Sequence, residues 1–274
     1  MTIQGRRATW VLPYAAPRIR DYASPMDRSS LEPDALLSRA RGLIDAAAAS
    51  DVPMRLLGGL AVYVLTEAAR RPPLARSYRD FDVAVPARQG PAASRVLESV
   101  GLVPDRHFNA LHGARRMIFS APDGYDVDML IGDFEMCHTL EIGAAFEHDT
   151  LTIHPADLLL TKLQIVAIER KDLIDAAALV LDRPPGSGWE DIDLPRFVGP
   201  LAEDWGFFHT VELNLGKLGA FARDVLEPDR AAVVEQRLNV LATAMQSAPK
   251  SMRWRLRSRV GERVVWYETP EEVR

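Results

Sequence analysis

The chain has 274 residues, enough to bury a full core as one large domain or two small ones. Its hydrophobic (47%) and charged (26%) fractions are those of a soluble globular protein, and a formal net charge of −5 excludes coating nucleic acid through overall charge, so any RNA contact has to be local. The single Cys137 excludes an internal disulfide or a cysteine-rich zinc site and fits a reducing cytoplasm, where a buried small residue is expected; the six histidines form no metal-ligating pair.

Along the chain, Arg6 and Arg7 before Ala8-Thr9-Trp10-Val11-Leu12 have the outline of a signal peptide, but Pro13 ends the apolar run and Arg18 and Arg20 follow. Residues 1–30 are expected to form an extended arm, without export. Elsewhere no apolar run approaches the ~20 residues of a membrane helix, so a cytoplasmic protein with no membrane partner is expected. Ser29 or Ser30 can cap a helix with Pro33 in its first turn, running to about residue 49 with Leu36, Leu37, Ala40, Leu43 and Ile44 at helical spacing. A short strand over 54–57 leads into Gly58-Gly59, then a helix over about 60–70, then the loop Arg71-Pro72-Pro73-Leu74-Ala75.

The next strand carries Arg79-Asp80-Phe81-Asp82-Val83-Ala84-Val85-Pro86. Side chains alternate across a strand, so Asp80, Asp82 and Ala84 share one face while Phe81, Val83 and Val85 share the other. The apolar face can enter a core while the two carboxylates stand side by side. Such a pair raises its own pKa unless a cation sits between, and Mg²⁺ favours one or two carboxylates plus substrate phosphates.

Pro91 and Gly101 bracket a further helix. A hairpin follows over 115–131, with Arg116-Met117-Ile118-Phe119-Ser120, the turn Pro122-Asp123-Gly124, and Tyr125-Asp126-Val127-Asp128-Met129-Leu130 returning. Asp126 and Asp128 share a face, and if this hairpin pairs beside the 80–85 strand, one or both join the first two acids; the alternative is a pair of solvated strand residues. From Pro155 the pattern turns helical, with segments near 155–168, 171–182, 195–204, 208–225 and 229–246, broken at Arg183-Pro184-Pro185-Gly186-Ser187-Gly188, which reads as a hinge or linker. Arg253-Trp254-Arg255-Leu256-Arg257-Ser258-Arg259-Val260 alternates strictly before Gly261-Glu262 and reads as the first strand of a basic hairpin. Its four arginines then form a row able to contact RNA phosphates, or a solvated strand edge. The expected organisation is an arm (1–30), an α+β core with a small mixed sheet (31–150), and a mainly helical region (151–274) ending in that hairpin.

Leu56-Leu57-Gly58-Gly59, the following helix, Asp80-Phe81-Asp82 and Val127-Asp128-Met129 together resemble the polymerase-β-like nucleotidyltransferase superfamily. The Gly59-to-Asp80 spacing, with Pro155-Ala156-Asp157-Leu158-Leu159-Leu160-Thr161-Lys162-Leu163 and Arg170-Lys171-Asp172-Leu173-Ile174-Asp175 downstream, is similar to the AbiEii-type toxin branch, over roughly 50–182. The resemblance implies a polymerase-β-like fold and transfer of a nucleoside monophosphate from an NTP to an RNA acceptor such as tRNA, by a toxin with a cognate antitoxin. The alternatives are the same chemistry on a small, antibiotic-type acceptor, or a silent binding protein of the same fold. In that reaction Asp80 and Asp82 hold two Mg²⁺ ions, and Asp128, alone or with Asp126, completes the site. Gly58 and Gly59 hold the outer phosphates, Lys162 reaches the triphosphate with Asp175 organising it or the nucleotide, and Arg76 and Arg79 neutralise phosphate charge or fix their loop. One departure is Leu60, where the family often carries a serine or threonine hydroxyl. Backbone N–H groups of a glycine turn entering a helix can still hold phosphate oxygens.

Overall fold

The structure, a computed structural model, describes residues 31–269; the expected arm and the serines at 29 and 30 lie outside them. Helix α1 (Pro33–Ala48) begins with Pro33 in its first turn and buries Leu36, Ala40, Leu43, Ile44 and Ala47, the face its spacing predicts. Strand β1 (Arg55–Leu57) runs directly into α2 (Gly58–Leu65), and β2 (Asp80–Val85) follows after a single 3₁₀ turn at Ala68–Arg70. The α2 helix is shorter than the expected 60–70. Thr66 leaves the helical conformation, its hydroxyl donating to the Val62 carbonyl (2.9 Å) and accepting from the Ala69 N–H (3.4 Å).

Helix α3 (Gly90–Ser99), strand β3 (Val103–Pro104), the short α4 (Arg106–His112) and the hairpin β4 (Arg116–Ser120) and β5 (Asp126–Ile131) complete the α/β half. The five strands form one sheet in the order β1-β2-β5-β4-β3. All neighbours are antiparallel except β2 and β5, which run parallel and so make the sheet mixed. Phe81, Val83, Val85, Val127 and Met129 are buried, as strict alternation requires. The hairpin thus docks beside the first acid-bearing strand through its second strand.

The second half is helical: α5 (Pro155–Leu163), α6 (Arg170–Asp182), α7 (Leu194–Glu203), α8 (Trp205–Val225), α9 (Pro228–Ser247) and α10 (Met252–Val260). Helix α5 stops five residues before the expected 168, where Asn214 on α8 donates to the Leu163 and Ile165 carbonyls, both at 2.8 Å. One buried apolar cluster includes Leu36, Phe81, Leu160, Phe197 and Met245, so sheet and helices share a core. Asp157, itself buried, accepts from Arg196 Nε on both oxygens (2.8 and 2.9 Å) and from Nη2 (2.6 Å), tying α5 to α7.

Two expectations are corrected. Residues 183–188 are not a free linker: Arg183 donates to the Leu65 carbonyl through Nε (2.9 Å) and Nη2 (2.6 Å) and pairs with Glu190, while Pro185–Gly186 lies parallel to Ile192–Asp193. The C-terminal basic hairpin is instead α10, capped by Ser251, whose Oγ accepts the Trp254 N–H (3.1 Å), and ended by Gly261 at φ 61°. Alternate residues of a helix lie about 200° apart, so Arg253, Arg255, Arg257 and Arg259 do not form one row. Trp254 turns inward edge-on to Phe208, and Arg257 donates to the Gly261 (2.7 Å) and Val264 (2.8 Å) carbonyls. Among the described residues no helix is long and apolar enough to cross a membrane.

Candidate active site

The β2–β5 pairing sets Asp80 opposite Asp126 and Asp82 opposite Asp128. Because the register is parallel and both strands alternate, the four carboxyl-bearing positions fall on one sheet face, away from the side that Phe81, Val83, Val127 and Met129 bury. Burial, then the charges of Asp128 and Asp80, push the Asp82 carboxyl up to about 7. Asp80, at the open end of β2, is raised by desolvation and then by Asp128. Asp126 accepts the Ser120 hydroxyl at 2.6 Å. No hydrogen bond or ion pair among the described residues engages the Asp80 or Asp82 side chain.

The glycine doublet is the partner of this cluster in space. Gly58 sits at φ 68°, and a Cβ there would lie 1.7 Å from Asp82 Oδ2; a Cβ on Gly59 would lie 1.8 Å from Arg76 Nη2. Bare backbone at both positions lets a carboxylate and a guanidinium approach the start of α2. No side chain caps that helix, so its first N–H groups stay available to an anion.

Behind the doublet lies a buried charge network. Asp175 on α6, 1% exposed at its side chain, accepts from Arg76 Nε and Nη2, both at 2.8 Å, and pairs with Lys162 Nζ at 3.0 Å. Lys162 also lies 3.6 Å from Asp172. Burial works to raise the Asp175 pKa, but Lys162 and Arg76 hold it below the ordinary carboxylate value. Burial likewise opposes the charge on Lys162; Asp175 and Asp172 outweigh it, and Asp82 adds to them. The Arg76 guanidinium also lies over the Tyr78 ring, 4.3 Å from its centroid. The structure therefore brings Arg76, Lys162 and Asp175 together. Arg79 is exposed, and it is the Arg79 backbone carbonyl that accepts the Asp126 N–H (3.4 Å).

One residue was missed from sequence. Arg116 on β4 forms a forked pair with Asp128, its Nε donating to Oδ1 (2.8 Å) and Oδ2 (3.0 Å) and its Nη2 also bonding Oδ2. The signal was available in the hairpin: Arg116, Ile118 and Ser120 share a face, and Ile118 and Ser120 stand opposite Asp128 and Asp126. No three His, Cys, Asp or Glu side chains among the described residues are gathered as a metal cage. The chemistry of the donor set nonetheless suits a hard cation: Asp82 is disfavoured as an anion chiefly by burial and by the two carboxylates beside it, a penalty a divalent ion relieves.

Two surface hollows, on α9 and between α8 and α9, share no lining residue with this cluster. No family model matches the chain, and no curated protein gives a significant match. Solved structures similar to it include the lincosamide antibiotic adenylyltransferase LnuA with lincomycin bound (17% identity, TM-score 0.40, covering 55% of this chain and 98% of that one). Another is an antigenic nucleotidyltransferase-like protein from Paracoccidioides brasiliensis (14%, TM-score 0.41, 81% and 97%). A third is the antibiotic-resistance factor ANT(2'')-Ia (11%, TM-score 0.36, 78% and 97%). At these scores the likenesses carry no activity over to this chain.

Proposed function

We propose that the chain is a Mg²⁺-dependent nucleotidyltransferase that moves a nucleoside monophosphate from an NTP to a hydroxyl of an RNA acceptor such as tRNA, as a toxin opposed by a cognate antitoxin. The observation that carries the chemistry is the register of Asp82 against Asp128, with Asp80 on the same face and the uncapped start of α2 beside them. The RNA acceptor rests on the resemblance over residues 50–182, since the arginines of 253–259 form no row.

Asp80 and Asp82 would hold the metal, and Asp128 stands opposite Asp82 in register. When bound, Mg²⁺ activates the attacking hydroxyl and neutralises charge on the transferred phosphate. The N–H groups at Gly58 and Gly59 hold phosphate oxygens, which is where the helix dipole favours negative charge. Lys162 and Arg76, fixed by Asp175, set positive charge behind them. The acceptor hydroxyl releases its proton to solvent as its oxygen bonds to the α-phosphorus, the bond from that phosphorus to the oxygen bridging to the β-phosphate breaks, and pyrophosphate leaves with that oxygen. Catalysis of this kind is positioning and electrostatics, so no nucleophilic side chain is needed.

The test is incubation of the pure protein with each α-labelled NTP, Mg²⁺ and total RNA, with a small-molecule extract alongside. Label in a tRNA-sized band, lost in Asp82→Ala, is the expected result. Label in a small acceptor alone overturns the RNA assignment, and no labelled product from either source overturns the transferase reading.

A further inference from the structure

We propose that Arg116 takes the place of a second metal ion: its guanidinium neutralises Asp128, so the site binds one divalent cation per chain, on Asp80 and Asp82, where the sequence suggested two. This inference rests on the nucleotidyltransferase reading and refines its metal site.

Arg116 commits Asp128 more completely than a passing surface pair would. Both carboxylate oxygens accept from it, Nε reaching Oδ1 at 2.8 Å and Oδ2 at 3.0 Å with Nη2 closing the fork. The Asp128 side chain is 17% exposed and that of Arg116 38%, so it is the carboxylate end of the pair that is shielded. A face of the guanidinium is backed by Phe108 on α4, 5.7 Å from the ring centroid, and Phe108 in turn lies tilted at 35° against His112 with centroids 4.6 Å apart. Planar, bidentate recognition of this kind belongs to arginine and is not reproduced by a point charge.

A metal ion seated on Asp128 would have to break the fork, strip Arg116 from its aromatic backing and then tolerate the displaced guanidinium beside it. The two remaining acids present the opposite situation. Neither Asp80 nor Asp82 is engaged by an ion pair among the described residues, and they alternate on one strand face with the start of α2 alongside. A dication therefore gains two uncommitted carboxylates at Asp80 and Asp82, and only an already neutralised one at Asp128. Lys162, which feels the field of Asp82, supplies further positive charge near these acids.

The test is the number of Mn²⁺ ions bound per chain, read by the electron paramagnetic resonance of free Mn²⁺ during titration with the α,β-methylene analogues of the four ribonucleoside triphosphates. The wild-type protein is expected to bind one ion with its preferred analogue, Arg116→Met to bind two, Asp128→Asn to keep one, and Asp82→Asn to bind none. Arg116→Gln serves as the second neutral variant, and thermal melting establishes that each variant is folded. Two ions in the wild type, or one in both neutral Arg116 variants, overturns the inference while leaving the transferase reading intact. No ion bound with any of the four analogues overturns both. If neither neutral variant folds, the wild-type count together with Asp128→Asn decides: one ion in each supports the inference, and a drop from two to one overturns it.

Discussion

The Asp82 carboxylate fills the space that a side chain on Gly58 would need, its Oδ2 standing 1.7 Å from where that Cβ would be. The glycine at the start of α2 thus does more than turn the chain. It admits an acid from the neighbouring strand to the mouth of a helix that no side chain caps, so the proposed metal ligand and phosphate cradle would be built as one unit.

Gly58→Ala is expected to displace Asp82 and to strain a backbone held at φ 68°. A misplacement of this kind costs on the order of 10²-fold in turnover, and a side chain forced into the left-handed region costs about 1–2 kcal/mol. Turnover and thermal melting of the purified variant check both. Unchanged turnover would show that Asp82 does not need this approach.

Asp82 also makes stability depend on pH in an identifiable direction. Its carboxyl, pushed from 3.8 up to about 7, keeps a proton in the folded state that the unfolded chain has already released. The metal-free protein therefore loses this group's contribution as pH rises through that window. Buried His138, lowered to about 4, has the opposite slope, losing stability as pH falls below 6.5, so only a difference between variants isolates Asp82. Asp82→Asn is expected to exceed wild type in melting temperature by a margin that grows from pH 5 to about pH 7 and then levels. A margin independent of pH contradicts this origin.

Removing Asp175 strands Arg76 and leaves Lys162 with Asp172 at 3.6 Å. Arg76 and Lys162 are 22% and 12% exposed at their side chains and share the carboxylate between them. Breaking a buried pair from one side costs about 3–5 kcal/mol, and Asp175→Ala is expected to fall in that range by urea denaturation, with triphosphate affinity lost as well. A neutral effect on both would remove the network from the account.

The Asp157–Arg196 pair supplies a contrast, since it joins α5 to α7 by geometry of the same quality but touches no residue of the carboxylate cluster. Arg196→Met is expected to lower stability by about 3 kcal/mol or more while the affinity of the folded protein for triphosphate stays within about twofold. Calorimetric titration below the melting transition measures it. Loss of affinity comparable to that of Asp175→Ala would show that the two networks are coupled.

What could be read from the sequence was whatever short-range pattern determines. Alternation in 80–85 assigned Phe81, Val83 and Val85 to the core and Asp80 and Asp82 to the other face, Asp126 and Asp128 were placed together on one face of their strand, and the proline-led helices at 33, 91 and 155 began where a first-turn proline allows. The parallel pairing of β2 with β5 was legible only as a condition, because register between distant strands is set by the whole topology. Arg116 was passed over although its hairpin register is local, because it reaches Asp128 diagonally and not directly across the strands. In α10 the alternation of arginines misled, because an exposed helix needs little apolar periodicity, and arginine is a good helix former that a Ser251 cap and Gly261 stop delimit. Lys162, with Asp175 to organise it or the nucleotide, came from the resemblance and Arg76 from the loop sequence, whereas the bond of Arg76 to the same Asp175 follows only from the packing of the helices.

The most direct test is a crystal of the protein soaked with Mn²⁺ and a nonhydrolysable triphosphate. The account predicts anomalous density coordinated by Asp80 and Asp82, with phosphate oxygens against the Gly58 and Gly59 N–H groups. A triphosphate bound elsewhere, or manganese density absent from those two carboxylates while the nucleotide is seated, would contradict it.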